Sequence, residues 1–454
     1  MKYIILFLHF VMPLASIGQT WDTLGSGVNG AWVAAITDSG GKLYVGGAFN
    51  NAGGLNTMGI AKWNSTDWDT LQAGCWGSVK AISFYNGELY ACGSFQNASN
   101  VPNTKFIAKW DGAQWQSVYS GTMNPVNSLD AMCVYNGELY VGGNLTSIGN
   151  ATGFNRIAKF NGSTWSDVGG GLNGSLPYVL CMTVFNGELF VGGNFTLVGG
   201  SVSANYIARW NGTTWNNVGL GTDYIVQALA PHTNFNKLLV GGGFLSAGGI
   251  PAKCFAVWDG ISWFSTGADF DCNIHSLAVY HDEVYAGGCF QKINNDSIRG
   301  IAKWDFVSWD TVGSVSCNTT TILAIHVWND TLYVGGYFDS CGTTEINNIA
   351  KFWSPQLPNV GVSEIKNITY LSQIIGLFPN PTKGIVSVKI LIRNKNENIE
   401  LCIYNAHGKK IKSMSVSSAV SEIQISMSEL SAGIHFCTIE TGSSIIDSEK
   451  FVIE

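Results

Sequence analysis

Few residues in the first 353 positions of this sequence could support acid–base or metal chemistry. Between positions 19 and 353 there are four histidines, His232, His275, His281 and His326, and they lack the i, i+4 or paired-cysteine spacing that is typical of metal sites. No Gly-x-Ser-x-Gly motif, which places a nucleophilic serine on a sharp turn, occurs in the chain. Paired carboxylates for glycoside hydrolysis stay open, because their separation is a spatial property. The sequence therefore predicts no catalytic residue, no metal and no cofactor.

Acidic residues between the apolar runs have two interpretations. Asp223, Asp269 and Asp271 could bind a calcium ion, which prefers oxygen ligands. We favour the simpler interpretation, that they are solvated loop acids, and assign no metal to them.

Aromatic residues suited to ligand binding recur a few positions before several apolar runs. Five positions share this placement: Trp32, Trp76, Tyr178, Tyr224 and Phe270. Aromatic rings stack on sugar faces and anchor protein partners. The alternative is that these rings pack down as plugs between neighbouring structural units.

Eleven cysteines are present, an odd count with irregular spacing, so most are expected to pack as small apolar residues. Cys317 and Cys341 flank a hairpin turn predicted at Asn329-Asp330 and would lie nearly opposite each other, which makes them the favoured disulfide. Cys272 and Cys289 are a weaker candidate, because the same test places them two residues out of register.

The elements that position these residues are written in a repeat. Near copies of Leu43-Tyr44-Val45-Gly46-Gly47-Ala48-Phe49 occur seven times, 46 to 50 residues apart. The second to fifth units contain Asn-Gly or Asp-Gly turns between apolar runs, the strongest short-range hairpin signal. Each unit is therefore predicted to form four antiparallel strands, a to d, and such units arranged radially form a β-propeller.

Counting the fourth strands indicates how the ring closes. Six units contain a strand d that begins with Trp, and the seventh departs from the pattern at Ser354-Pro355. The missing strand matches Trp21-Asp22-Thr23-Leu24-Gly25 at the other end of the chain. We therefore predict a seven-bladed propeller in which the N-terminal strand completes the last blade.

This topology assigns two faces to the propeller. The a–b and c–d turns lie at one end of the strands, the turn face, so the b–c segments and d–a loops lie at the other, the loop face. The five aromatic residues belong to d–a loops, and a ligand is expected on the loop face.

Two repeated features are expected to be scaffolding. The Gly-Gly pairs are predicted to make room for the Trp rings of strands c and d. The basic residue of strand c is predicted to pair with the Glu that begins strand b, as in Lys109 with Glu88. In its repeated order of strands the region resembles the kelch-type propellers, and only the fold is carried over from that resemblance.

The N-terminus and the composition limit location and partners. Residues 1–18 read as a signal peptide, with Lys2, an apolar run and a small-residue cleavage site. Nothing later approaches the length of a membrane-spanning helix, so no transmembrane segment is expected in the mature chain. A net charge of -7 argues against a nucleic-acid partner.

The last eighty or so residues resemble the type A C-terminal sorting domain of the type IX secretion system, found in Bacteroidota. The resemblance rests on Phe378-Pro379-Asn380-Pro381-Thr382-Lys383-Gly384, on an Ile-Tyr-Asn-x-x-Gly run from Ile403, and on Leu430 to Phe436, with His435 in place of the usual Tyr. Its motif residues are Pro379, Asn380, Pro381, Gly384, Tyr404, Gly408, Gly433 and Lys450. The resemblance implies contact with the type IX machinery, export to the cell surface or medium, and usually removal of the tail.

The expected organisation is a signal peptide at 1–18, a propeller at 19–353, a linker at 354–371 and a β-sandwich sorting domain at 372–454. We expect a secreted or surface-attached module that binds a glycan or protein on its loop face and is not an enzyme. The alternatives are a polysaccharide-active enzyme with its site at the channel mouth, and a structural component of adhesion or gliding.

Overall fold

The computed structural model describes residues 20–121, 128–306, 308–312, 321–341, 344–353, 373–378, 382, 385–391, 399–405, 409–416, 420–426, 430–441 and 444–453. The predicted signal peptide and linker lie outside these residues. The regular elements of the described residues are all strands, which confirms the all-β class. The chain divides into two compact units, residues 1–303 with 310–356, and residues 304–309 with 357–454.

The propeller consists of four-stranded antiparallel sheets that follow one another along the chain, seven of them within the described residues. Each sheet is called a blade and its strands a to d. The a strands are Val28–Ser39, Cys75–Tyr85, Leu129–Tyr135, Tyr178–Phe185, Val226–His232, Ile274–Tyr280 and Thr321–Trp328. The b strands are Lys42–Ala52, Glu88–Ala98, Glu138–Gly143, Glu188–Asn194, Lys237–Gly242, Glu283–Gly288 and Thr331–Tyr337.

The outer half of each blade is shorter. The c strands are Ile60–Trp63, Ile107–Trp110, Ile157–Phe160, Ile207–Trp210, Phe255–Trp258, Ile301–Trp304 and Ile349–Trp353. The d strands are Trp68–Thr70, Trp115–Gln116, Trp165–Asp167, Trp215–Asn217, Trp263–Phe264 and Trp309–Thr311, with Thr20–Thr23 in the last blade.

Two-residue strands lie in the loops of the loop face. They are Leu55–Asn56, Ser147–Ile148, Ala151–Thr152, Leu172–Asn173, Leu197–Val198, Val202–Ser203, Ser246–Ala247, Ile250–Pro251, Ser340–Cys341 and Thr344–Glu345.

Strand a is an edge strand of every blade and contacts strand a of the next blade, from the first blade round to the seventh and back to the first. The seven a strands therefore surround the axis of the propeller. The N-terminal strand pairs with Ile349–Trp353, Trp21 lying opposite Phe352, as the sequence predicts. This architecture confirms the predicted propeller.

The a–b turns explain why the sequence fixes the hairpins so well. Asn86 and Gly87 both have positive φ, 51° and 80°, which is the conformation that a type I′ turn requires. Asn329 and Asp330 of the last blade adopt the same pair of values, 47° and 55°, without a glycine. Asn and Asp tolerate this region better than other side chains.

The Gly-Gly pairs admit backbone and aliphatic groups, and the predicted packing of Trp rings against them is wrong. A Cβ on the first glycine would collide with strand a of the next blade: at Gly142 it would lie 2.6 Å from Cγ1 of Val179. A Cβ on the second glycine would meet strand a of its own blade, as at Gly193, 2.2 Å from the carbonyl oxygen of Tyr178. The Trp rings contact other glycines, for example Trp68 against Gly53.

Tryptophan side chains join neighbouring blades by hydrogen bonds. The indole Nε1 of strand d donates to a carbonyl that follows strand d of the preceding blade, at 2.8 to 3.1 Å. The N-terminal strand takes part on both sides, because Trp21 donates to Val312 and the carbonyl of Leu24 accepts from Trp68. These bonds extend the ring through the first and last blades.

The predicted ion pairs between strands b and c are confirmed. Four basic residues of strand c bind the Glu that begins strand b: Lys109–Glu88, Lys159–Glu138, Arg209–Glu188 and Lys303–Glu283, at 2.7 to 3.0 Å. Such partly exposed pairs each contribute about 0 to 1 kcal/mol, so they support the blade without defining a site.

The disulfide in the described residues joins Cys272 to Cys289, with a Cα–Cα distance of 5.5 Å. This pair is the weaker candidate in the sequence because the predicted hairpin places the two cysteines two residues out of register. A β-bulge between Ile274 and Ser276 removes one residue of that offset. The bond ties the d–a loop of blade 6 to the segment after its strand b. Cys317 lies outside the described residues, so the favoured pairing of Cys317 with Cys341 stays a prediction.

The C-terminal unit is a small sandwich of two antiparallel sheets. Its strands are Gln373–Phe378, Ile385–Leu391, Ile399–Asn405, Lys410–Val416, Val420–Ser426, Gly433–Thr441 and Ser444–Ile453. The first, second and fifth form one sheet, and the others form the second. Val386 and Val388 of the first sheet share a core with Ile439 and Phe451 of the second.

We predict that the first glycine of a pair depends on the shape of its neighbour. Gly142→Ala should destabilise the chain by about 1 to 3 kcal/mol, the usual cost of overpacking against a rigid β-branched side chain. Blade 2 carries Cys92 at the equivalent position, and its neighbour there is Leu129, whose γ-branched side chain leaves room at Cβ. Gly142→Ala with Val179→Leu should therefore recover stability in urea unfolding, and a double variant less stable than the sum of the single changes would contradict this account.

We also predict that the Cys272–Cys289 bond stabilises the propeller. It closes a segment with a sequence separation of 17 residues. Loop-closure entropy for a segment of this size gives roughly 3 kcal/mol. Cys272→Ser with Cys289→Ser should lower the melting temperature, and dithiothreitol should lower it by less in the double variant than in the wild type.

Candidate functional site

One position of strand a distinguishes the blades from one another. Strand a carries a β-bulge at the same place in every blade, opposite the Gly-Gly pair. The bulge residues, here called the axial ring, are Ala34, Lys80, Asp130, Leu180, Gln227, His275 and Leu323. The residue before each is fully buried, whereas each ring residue is partly exposed.

The sequence carries a signal for this ring that the motif reading missed. Each strand a contains a tetrapeptide with an aliphatic first residue, a small third residue and an aliphatic or Met fourth residue, as in Val79-Lys80-Ala81-Ile82. The second residue alone changes in character from blade to blade. Because the second residue varies while the other three keep their type, its side chain is not constrained by packing against the rest of the blade.

Lys80 and Asp130 show that neighbouring ring residues meet. The Nζ atom of Lys80 lies 3.2 Å from Oδ1 of Asp130 in the next blade. Ser128 donates a 2.6 Å hydrogen bond to the other carboxylate oxygen. The Asp130 side chain is only 12% exposed, so this charged group is held in a fixed position beside the axis.

Four of the five predicted aromatic residues are accessible on the loop face. Trp76 is 49% and Tyr224 is 51% exposed, and Trp32 and Tyr178 are partly buried. Tyr224 contacts Tyr206 of the neighbouring blade at a ring distance of 6.1 Å. Burial raises the pKa of Tyr178, and the charges of Tyr224 and Asp130 raise it further. Tyr178 begins the strand a that carries Leu180 of the axial ring, so this aromatic residue lies at the loop-face end of a ring strand.

Phe270 is not part of an accessible surface, and its assignment to ligand binding is wrong. Its side chain is fully buried, and its ring meets Phe290 edge-on at 5.0 Å. Its backbone bridges to Ile293, so the d–a loop of blade 6 folds inward. Phe270 acts as the interior plug that the sequence gave as the alternative.

The three loop acids have protein partners. The Asp223 carboxylate accepts backbone hydrogen bonds from Leu245 and Ser246, at 2.8 and 3.0 Å. Asp271 caps Gln291 and Lys292 in the same way, and Asp269 pairs with Lys253. Within the described ranges no group of three His, Cys, Asp or Glu residues is placed to hold a metal ion.

An apolar patch covers the loop face where blades 4 and 5 meet. Leu220, Leu245 and Ile250 are 70%, 61% and 37% exposed. The Asp223 contacts fix Leu245 beside the d–a loop that carries Leu220 and Tyr224, and Leu220 reaches Gly249. Exposed apolar patches of this kind are typical of interaction surfaces.

A cavity opens on the turn face. A cavity of about 470 Å³ lies along the a strands of blades 5, 6 and 7, with His232 and His326 among its lining residues. Both histidines bridge blades: His232 Nε2 lies 3.1 Å from the carbonyl oxygen of Asp282, and His326 Nε2 lies 2.8 Å from Oδ1 of Asp38. These contacts indicate a structural role.

In the C-terminal unit, Tyr404 belongs to a polar cluster around Glu440. Its hydroxyl donates a 2.5 Å hydrogen bond to Glu440, which also accepts from Thr438 at 2.9 Å and binds Lys410 at 2.7 Å. Gly433 begins a strand with φ of 129°, and Lys450 pairs in register with Phe436. Pro379, Asn380, Pro381, Gly384 and Gly408 lie outside the described residues.

Comparisons with known proteins agree with this division. Residues 376–454 match the secretion system C-terminal sorting domain family, and residues 22–187 match the Rax2 C-terminal β-propeller domain. The fold and tail thus define the class: a β-propeller protein with a C-terminal sorting domain. More particularly, the tail is a sorting domain of the type IX secretion system, which indicates export to the cell surface or the medium. The described residues include no helix long and apolar enough to cross a membrane.

Similar solved structures share little sequence with the chain. PorZ, an essential bacterial surface component of the type IX secretion system of Porphyromonas gingivalis, is 12% identical with a TM-score of 0.43, over 92% of this chain and 59% of PorZ. This chain thus spans about three fifths of the PorZ structure. A protein of unknown function from Bacteroides thetaiotaomicron is 8% identical, with a TM-score of 0.39 over 74% of this chain and 72% of that one. Among curated proteins, none matches.

We predict that the Glu440 cluster makes the tail acid-sensitive. Burial acts to raise the pKa of Glu440, but hydrogen bonds from Lys410, Tyr404 and Thr438 outweigh it and lower the pKa to about 2, from 4.5. A depressed carboxyl pKa stabilises the fold above the unfolded-state value, and this stability is lost as the pH falls toward the folded value. Glu440→Gln should destabilise the tail at neutral pH and flatten its loss of stability between about pH 4.5 and 2.

The measurement is thermal unfolding of the full chain across this pH range, with Glu400→Gln on a neighbouring strand as the matched control. A Glu440→Gln variant that loses stability in acid as steeply as the wild type would contradict the assignment.

Proposed function

We propose that this exported propeller is a non-catalytic module that binds glycans on its loop face. The observation that carries the proposal is the exposure of Trp76 and Tyr224 on the loop face, with Trp32 on the blade before Trp76 and Tyr178 on the blade before Tyr224. Flat rings that stay exposed in a chain with abundant buried aromatics are suited to stacking on the apolar faces of sugars. The adjoining Lys80–Asp130 pair adds fixed hydrogen-bonding groups.

Binding is favoured over catalysis because the acidic side chains near the axis and on the loop face are engaged in hydrogen bonds and ion pairs within the protein. Asp130, the acidic member of the axial ring, is bound to Lys80 and Ser128. Asp223, Asp269 and Asp271 each hold a loop or an ion pair in place. Glycoside hydrolysis needs two carboxyl groups that face each other across the scissile bond. We therefore propose that the protein recognises a polysaccharide without cleaving it.

A protein ligand is the second candidate, and the apolar patch of Leu220, Leu245 and Ile250 favours it. Protein interfaces have an apolar centre with aromatic anchors, and Tyr224 borders this patch. This candidate fits an attachment role at the cell surface. A protein ligand would make its strongest contacts at blades 4 and 5, whereas a glycan would also stack on Trp76 of blade 2.

We predict that Trp76→Ala with Tyr224→Ala abolishes binding to a glycan array by the chain without its signal peptide. Loss of stacking should weaken binding by about tenfold for each ring, since truncation of an aromatic anchor at a binding site costs more than about 1 kcal/mol. Ile261→Ala is the matched control, because Ile261 is 85% exposed on the turn face. The double variant should keep the wild-type melting temperature.

Wild-type protein that binds no glycan on the array would overturn the glycan proposal. Leu220→Ser with Leu245→Ser shows whether the apolar patch contributes to glycan binding. We expect the Leu220 and Leu245 variant to retain glycan binding. If this variant lost glycan binding while the Trp76 and Tyr224 variant kept it in full, the glycan site would lie on the apolar patch instead.

A further inference from the structure

The axial ring contains more polar groups than its packing requires. Four of its seven residues are polar, and they occur as two pairs on neighbouring blades: Lys80 with Asp130, and Gln227 with His275. The other three, Ala34, Leu180 and Leu323, show that the fold accepts apolar side chains at the same position. The scaffold therefore does not account for the polar pairs.

The first pair is held in place from several sides. Asp130 accepts from Lys80 at 3.2 Å and from Ser128 at 2.6 Å. A carboxylate offers about four acceptor positions, so it retains capacity for a further donor. The charges of Lys80 and Asp130 offset each other, so the pair presents polarity to the axis without net charge.

The second pair is short of partners. The Oε1 atom of Gln227 is buried and accepts no hydrogen bond from any described residue. A buried amide oxygen without a donor costs free energy, which a hydroxyl group on the axis would recover when the Gln227 amide turns its oxygen toward it. His275 occupies the equivalent position of the next blade, and burial lowers its pKa, so its imidazole is neutral at neutral pH and offers one donor and one acceptor.

The ring is connected to the aromatic surface. Tyr178 lies two residues before Leu180 of the ring, on a strand a that contacts the strand a of Asp130. Tyr224 lies three residues before Gln227 on the adjoining blade. These aromatic residues therefore lie at the loop-face end of the a strands that carry the axial ring.

We propose that the axial ring is a subsite for one neutral sugar unit, whose hydroxyl groups bind Gln227, His275 and Asp130. This inference rests on the proposed glycan function and identifies the polar part of its site. Hydroxyl groups both donate and accept, which matches the mixed set of an amide oxygen, a neutral imidazole and a carboxylate. The absence of net charge on the ring favours a neutral sugar over an acidic one.

The test uses methyl glycosides of glucose, galactose, mannose and N-acetylglucosamine as probes, titrated into the full chain by calorimetry. The wild type should bind at least one, and Gln227→Leu and His275→Leu should each weaken that binding by about tenfold or more, since a lost hydrogen bond leaves a partner unpaired. Gln114→Leu is the matched control, the same exchange at an exposed residue of the turn face. Gln227→Met, which keeps the length of the side chain, is the second variant.

A stability readout separates this role from a structural one. Replacing an unpaired buried amide by Leu should leave the melting temperature of the unbound chain unchanged or raised, while binding is lost. Wild-type binding by both Gln227 variants and by His275→Leu would overturn the inference, as would the absence of binding to all four glycosides. Glycan-array binding by the wild type without glycoside binding would overturn this inference alone, and failure of both assays would overturn the proposed function as well.

Discussion

The close approach of one blade to the next at the Gly-Gly pairs is the constraint on which the rest of the propeller depends. A Cβ on the first glycine would overlap the β-branched side chain just before the bulge of the next strand a, and at Gly335 that side chain is Val33 of the first blade. The second glycine lets strand a of its own blade bulge, because a Cβ there would strike a carbonyl oxygen. The same two glycines thus set the spacing between blades and create the position that faces the axis.

This arrangement separates scaffold from variable surface. Residues that touch the next blade repeat along the chain, among them the aliphatic residue before each bulge and the Trp that donates across the interface. The residues of the axial ring and the loop-face aromatic residues do not have to form these contacts between blades. A binding surface can therefore differ from blade to blade while the ring retains its geometry, which is how a repeat fold supports a specific ligand site.

Much of the fold could be predicted from the sequence because its signals are local. Asn-Gly turns set the hairpins, and the Glu–Lys pairing between strands b and c follows from that register. The contacts that local sequence signals do not reveal join different blades or depend on a bulge. The Val that meets Gly142 lies in another repeat, so nothing near the glycines indicates that Val, and not a Trp ring, packs there. A bulge shifts the register of Cys272 and Cys289, and no local signal distinguishes Phe270, which turns inward, from Tyr224, which does not.

A crystal structure of the propeller with the oligosaccharide that binds best on the array tests the central claim most directly. Our account predicts a sugar stacked on Trp76 or Tyr224, with its inner unit hydrogen-bonded to Gln227 and Asp130. An oligosaccharide bound instead in the turn-face cavity between His232 and His326 would contradict it.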